Sequence, residues 1–263
     1  MKAERAFSPL CALACALALG AANAADVRVM ISSGFYAAYS ELAPEFERSS
    51  GHHLVTTRGP SLGNSSEAIP ERLRHGEPAD VVIGVAASID DLAAKGLVRA
   101  GTKVDFARSQ IGMVVRAGAR KPDISSVEAF RRTLLEARSI AYSDSASGIH
   151  LSATVFARLG IAELIAGKGR QVAGPPSGEP VAAVVARGEA EIGFQQVSEL
   201  IHEPGVDYVG PIPEELQQET RFSGVLTTNA REPAAAAELV RFLASRDAAK
   251  AIVQSGLAPL VQP

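Results

Sequence analysis

The sequence predicts an α/β protein of two lobes, built on parallel sheets with right-handed crossovers, with a ligand cleft between the lobes. Three observations lead there. Short apolar runs alternate with stretches of helical periodicity along almost the whole chain. Some runs are nearly continuous, as in Ala79-Asp80-Val81-Val82-Ile83-Gly84, which suits strands covered on both faces. Small polar residues recur where these strands end and a helix begins.

The elements follow in order. Residues 26–32 read as a strand, and residues 35–49 as a helix carrying Tyr36, Tyr39, Leu42, Ala43 and Phe46 on one face, closed by Gly51. Residues 54–57 form a second strand and residues 67–75 a helix limited by Pro70. The apolar strand at 79–84 leads to a short helix at 89–95, closed by Gly96. A different segment then starts: strand 111–116, helix 127–137, strand 139–143 and helix 149–159. Pro180 opens a helix reaching residue 187, and 191–196 is a strand. A late strand at 222–227 precedes closing helices over 233–255. About eight or nine strands and about nine helices exceed one doubly wound unit and fit two lobes.

The first residues form a leader. Lys2 and Arg5 precede an uncharged run over residues 9–22, and Ala22-Asn23-Ala24 is a small-residue cleavage site. The run is shorter than the roughly 20 residues a spanning helix needs. Residues 1–24 are therefore expected to be a signal peptide directing export to the periplasm. Ala12-Leu13-Ala14-Cys15 offers lipid anchoring as the rival, with Ala where a larger aliphatic residue is usual. Both cysteines, Cys11 and Cys15, fall in this leader, so the mature chain has no thiol for catalysis, metal binding or disulfides. A composition 47% hydrophobic and 21% charged excludes a disordered or collagenous chain. The mature chain carries 24 basic and 28 acidic residues without a basic run, so no nucleic-acid partner is expected. No second apolar stretch approaches spanning length, so no membrane contact is expected after cleavage. Nothing signals an obligate apolar interface, and a monomer is expected.

Four strand ends carry the candidate chemistry. They are Ser32-Ser33-Gly34, Arg58-Gly59-Pro60-Ser61, Ser145-Ala146-Ser147-Gly148 and Gln195-Gln196-Val197-Ser198. Ligands of open α/β sheets bind outside the carboxyl ends of the strands. Hydroxyls and free N–H groups at helix starts suit an anion there, although Ser is also an ordinary helix cap. Ser32, Ser33, Arg58, Ser61, Ser145, Ser147, Gln195 and Gln196 are thus the candidate ligand-binding residues. The histidines His52, His53, His75, His150 and His202 lack the carboxylate spacing of a zinc site. There is no G-x-S-x-G elbow, P-loop or G-x-G-x-x-G, so neither a metal nor a cofactor is expected. Ser145 and Ser147 have no evident His–Asp partners, which argues against a hydrolase.

The order of Ser32-Ser33, Gly76-Glu77-Pro78-Ala79-Asp80-Val81-Val82-Ile83, Ser147-Gly148-Ile149-His150 and Glu189-Ala190-Glu191-Ile192-Gly193 resembles that of periplasmic molybdate-binding proteins and related type II solute-binding proteins. The resemblance implies two α/β lobes with the second inserted in the first: residues 25–106 and 226–263 against residues 107–225. It also implies a ligand between them. The chain departs from that family in carrying Arg58 after strand two, Gln196 where a Tyr ligand is common, and an acid, Glu179, before a lobe-two helix. Arg suits bidentate recognition of carboxylates, so an organic polycarboxylate is favoured over molybdate.

Within this branch, residues 142–148, 188–200 and 207–211 are similar to those of the bacterial aconitate isomerases, exported enzymes on the same scaffold. That resemblance implies cofactor-free interconversion of trans- and cis-aconitate by an allylic proton shift, with a positioned acid/base and cationic or dipolar groups for the developing charge. Glu179 and His150 are the candidate proton carriers, since His titrates near neutrality and a desolvated Glu rises toward it. Two non-enzymatic readings stay open. One is a solute-binding protein delivering an oxyanion or polycarboxylate to an ABC permease. The other is a periplasmic sensor subunit.

Overall fold

A computed structural model describes residues 24–260. Apart from Ala24, the expected leader lies outside the described residues, together with both cysteines. The chain runs β1 (Asp26–Ile31), α1 (Ser33–Ser50), β2 (His53–Arg58), α2 (Ile69–Arg74), β3 (Val81–Val85), α3 (Ala86–Ala94) and β4 (Val104–Ser109). It crosses at Gln110 into β5 (Ile111–Arg116), α4 (Val127–Glu136), β6 (Ile140–Ser143) and α5 (Ala146–His150). A π-helical turn at Leu151–Val155 joins α5 to α6 (Phe156–Arg158). Then come α7 (Ala162–Ala166), β7 (Gly169–Val172), α8 (Val181–Ala186), β8 (Ile192–Gln196) and β9 (Val206–Pro211). β10 (Thr220–Leu226) returns to the first lobe, followed by α9 (Pro233–Leu243), α10 (Ala249–Gln254) and β11 (Ala258–Pro259).

Two sheets result, with strand orders β11-β4-β10-β3-β1-β2 and β7-β6-β8-β5-β9. They are mixed, which corrects the expectation of parallel sheets. β1, β2 and β3 are mutually parallel, as are β6, β7 and β8. The strands that carry the chain between lobes run the other way: β10 is antiparallel to β3 and β4, and β5 to β8 and β9. A strand that arrives from the opposite lobe has no crossover helix to reverse it, so it pairs antiparallel. Residues 107–109 and 220–225, which the sequence assigned to the inserted lobe, are strand residues of the first sheet. The crossings accordingly sit at Gln110 and between Pro211 and Thr220.

Each lobe closes around its own core. In the first, the α1 residues Phe35, Ala38, Tyr39, Leu42 and Phe46 are buried at helical spacing against the sheet and α9. Phe35 stands 5.2 Å from the Phe106 ring and 6.3 Å from the Phe222 ring, tying α1 to β4 and β10. In the second, Phe130 of α4 meets Phe194 of β8 edge-on at 5.7 Å. Fully burying a side chain of this size stabilises by roughly 1.5–3 kcal/mol.

Asp80 explains the Gly76–Ile83 motif. It is 1% exposed, and its carboxylate accepts the backbone N–H groups of Arg28 at 2.8 Å, Arg231 at 2.6 Å and Glu232 at 3.1 Å. One side chain thus joins β1, the start of β3 and the entry to α9. Gly76, at φ 79°, supplies the left-handed turn that releases the chain from α2 into this strand.

Candidate active site

The carboxyl ends of β1, β2 and β3 in one lobe, and of β6, β7 and β8 in the other, face a shared cleft. The cavity left between the lobes measures about 40 Å³. Helices begin directly after β1, β3 and β6, so free backbone N–H groups point toward it.

The first lobe supplies hydroxyls and one guanidinium. Ser32 caps α1 from an extended backbone, yet its hydroxyl makes no cap bond and is buried without a partner. The Ser33 hydroxyl accepts Arg58 Nη2 at 3.1 Å, and the guanidinium lies 4.1 Å from the centre of the Tyr36 ring. Arg58 Nε is buried and unpartnered. The side chain is therefore held in place by groups that leave its charge uncompensated. Ser61 approaches β3 closely enough that a Cβ at Gly84 would stand 2.7 Å from its hydroxyl oxygen.

The second lobe supplies hydroxyls, amides and acids. Ser143 Oγ lies 2.9 Å from Ser145 Oγ and 3.0 Å from Ser147 Oγ, and accepts the Gly148 N–H at 3.2 Å. A Cβ at Gly148 would land on the Ser143 carbonyl, so only glycine lets α5 start this close to β6. Gln195 accepts the Val181 N–H at 3.1 Å through Oε1 and donates from Nε2 to Glu199 Oε1 at 2.8 Å. Gln196 donates to the Thr220 hydroxyl at 3.0 Å, while its Oε1 is buried without a partner. Burial pushes the Glu199 carboxyl up to about 7. The Arg58 charge and the Gln195 hydrogen bond oppose that rise, and Asp144 adds to it.

The lobes touch at two further points. Ser177 donates its hydroxyl to Glu67 Oε2 at 2.6 Å and its N–H at 3.3 Å. Ser198 donates to the Gly34 carbonyl at 2.7 Å.

The bacterial extracellular solute-binding proteins match the chain over residues 27–258. The chain belongs to this family. A molybdate-binding protein, ModA, of Azotobacter vinelandii is 28% identical over 250 residues, spanning 93% of this chain and 94% of its own. The solved structure of an Azotobacter vinelandii periplasmic molybdate-binding protein matches with a TM-score of 0.69 at 19% identity, covering 90% of this chain and 99% of that one. An aconitate isomerase of a Pseudomonas species is 46% identical over 242 residues, or 92% of this chain and 91% of its own.

On this solute-binding scaffold the residues singled out by sequence do not all meet. Ser32, Ser33, Ser61, Ser145, Gln195 and Gln196 line the cleft, and Arg58 reaches it through Ser33. Ser147 lies behind the wall, buried and bonded to Ser143. The two expected proton carriers lie elsewhere. Glu179 is 36% exposed in a bidentate ion pair with Arg187, at 2.7 and 2.8 Å, which holds its carboxyl below the usual range. His150 is half-buried on α5, with Nε2 2.9 Å from the Leu216 carbonyl, and lines an adjoining groove that shares Val85 and Ala146 with the cleft. Glu179→Gln is accordingly expected to change kcat/KM for the cleft's substrate by no more than about threefold, since exposed ion pairs contribute little; steady-state kinetics checks this. Two acids that sequence reasoning passed over, Asp144 and Glu199, do line the cleft. Each lies just beyond a parallel strand end, and that position was the available signal. Among the described residues, no group of three or more His, Asp or Glu is placed to hold a metal, and no helix is long and apolar enough to cross a membrane.

Proposed function

We propose that this protein is an exported isomerase that interconverts trans- and cis-aconitate by cofactor-free allylic proton transfer. The carrying observation is the 46% identity, over 92% of the chain, to a protein named aconitate isomerase. The cleft chemistry agrees with it. A tricarboxylate needs donors on several sides. Arg58, Ser32, Ser33 and Ser61 supply them from one lobe, and Ser145, Gln195 and Gln196 from the other. Ser32 Oγ and Arg58 Nε, buried and without partners, are donors awaiting an acceptor. The Thr220 hydroxyl can donate as well as accept, so the Gln196 amide can turn its NH2 to the ligand.

In the reaction, a base removes a proton from the methylene carbon beside a carboxylate. The C–H electron pair delocalises over the allylic system and the adjacent carboxylate. Reprotonation at the far carbon moves the double bond by one position, with no net oxidation. The uncompensated Arg58 charge and the N–H groups at the helix starts stabilise the intermediate anion. The leader at residues 1–24 would place the enzyme in the periplasm.

The test is incubation of the purified mature chain with trans-aconitate, followed by NMR. Appearance of the cis isomer supports the reading, and its absence defeats it. The second reading, a transport receptor delivering its ligand to an ABC permease, is favoured by the family and by the 28% identity to a molybdate-binding protein. A large upward Tm shift with aconitate but no turnover would select it. A shift with molybdate alone would remove both carboxylate readings.

A further inference from the structure

We propose that Glu199 is the catalytic proton carrier, a single carboxylate that takes the proton from the methylene carbon and returns it to the far carbon on the same face of the substrate. This rests on the aconitate reading above. Two carboxylates line the cleft among the described residues, Asp144 and Glu199. Asp144 is anchored through one oxygen to the backbone: its Oδ1 accepts the Gly174 N–H at 3.2 Å and braces the loop after β7. Glu199 is anchored through one oxygen to a side chain. Its Oε1 takes one hydrogen bond from Gln195, whose own Oε1 is fixed by the Val181 N–H at the start of α8. Its Oε2 has no hydrogen-bond partner among the described residues, so one oxygen is anchored and the other is free to meet a C–H.

The charges around Glu199 set it for proton traffic. Arg58 from the end of β2, Asp144 from the end of β6 and the Gln195 amide from β8 are the charged and hydrogen-bonding groups acting on it. Arg58 is turned toward Ser33 and stacked on Tyr36, and makes no salt bridge to Glu199 among the described residues. The acid is therefore not quenched as Glu179 is by Arg187. Its ordinary affinity is raised to about 7, so at neutral pH it both accepts and gives a proton readily. One trigonal carbon separates the two reacting carbons, so one carboxylate reaches both. In the first step the C–H bond breaks and the Glu199 O–H forms. In the second the O–H breaks, the far C–H forms, and the double bond has moved.

The experiment compares wild type, E199Q and E199D, using the full mature chain. The expected result for E199Q is a kcat about 100- to 10,000-fold lower, with KM and the aconitate-induced Tm shift retained. Wild-type kcat/KM should fall as pH drops through about 7, as the base is protonated, and E199D should retain residual activity with that limb displaced. With trans-aconitate deuterated at its methylene, part of the label should reappear on the far carbon of the cis product. An E199Q kcat within about tenfold of wild type, or an E199D profile that overlays wild type, would overturn the assignment. Delivery of the label to the opposite face of the substrate would overturn the single-carrier form. If wild type itself fails to isomerise aconitate, the aconitate reading falls and this inference falls with it. If wild type turns over and E199Q matches it, only the role of Glu199 is lost. Should E199Q not fold, E199D and the label transfer still decide.

Discussion

An Asp80→Ala protein is expected to lose about 4 kcal/mol of stability, a drop in Tm of roughly 8–16 °C for a chain of this size. Three backbone N–H groups, those of Arg28, Arg231 and Glu232, lose a charged acceptor at once. A buried donor left unsatisfied costs about 1–3 kcal/mol, and bonds to a charged acceptor are the stronger kind. No neighbouring side chain replaces these bonds, because Asp80 is enclosed between β1, β3 and the entry to α9. Asp80→Asn should fall between wild type and Ala, keeping one carbonyl acceptor for two of the donors and setting an NH2 against the third. Calorimetric unfolding measures both. Asp80 precedes β3, at the far end of that strand from the cleft. Below its lowered Tm the variant should therefore retain kcat/KM within a few-fold, which separates loss of fold from loss of site. Unchanged stability in Asp80→Ala would contradict the bracing role.

Arg58→Ala should act in the opposite way, sparing the fold and weakening the site. About 100-fold lower kcat/KM for trans-aconitate is expected, since charge-assisted hydrogen bonds contribute about 1.5–3 kcal/mol each. Arg58→Lys should recover only part of this. An ammonium keeps the charge but has neither the planar fork for a carboxylate nor the guanidinium face that lies over Tyr36. The Tm should fall little, because Nε already lacks a partner in the folded protein. A second readout follows from the electrostatics. Arg58 draws the Glu199 carboxyl downward from the value burial would give it. Removing that cation raises the proton affinity, so the acidic limb of kcat/KM should move to higher pH. A limb that stays in place, or moves down, would show that Arg58 does not act on this carboxylate.

What the sequence withheld follows from particular residues. The buried strands β1, β3, β5 and β8 announced themselves as apolar runs, and α1 by the spacing of Tyr39, Leu42 and Phe46. β7 and β9 are the edges of the second sheet, where one side lacks a neighbouring strand. β7, Gly169-Arg170-Gln171-Val172, buries one residue of four, and β9 ends in Gly210-Pro211, so neither carries the pattern of a covered strand. β4 mixes Asp105 and Arg108 into its apolar positions and was passed over for the same reason. Strand direction depends on which lobe a strand comes from, and no local pattern encodes that. The cleft was readable because serines and glutamines at strand ends are local features. The acid was not. Glu179 drew notice as an acid before a helix, but the six residues of α8 bring Arg187 back onto it. Glu199 lies four residues past Gln195, and only the one-turn helix Val197–Glu199 folds its carboxylate back against the amide.

That turn also sits beside the crossings. The Val197 N–H donates to the Gln110 carbonyl, Gln196 to Thr220, and Ser198 to Gly34. Gln110 and Thr220 are where the two strands pass between lobes. In a hinge rotation, displacement grows with distance from the axis. The Gln195–Glu199 pair, flanking the residues that contact both crossings, lies on a short lever arm. Opening would then leave the carboxylate and its amide nearly still. The geometry at the pivot then need not be rebuilt on each cycle.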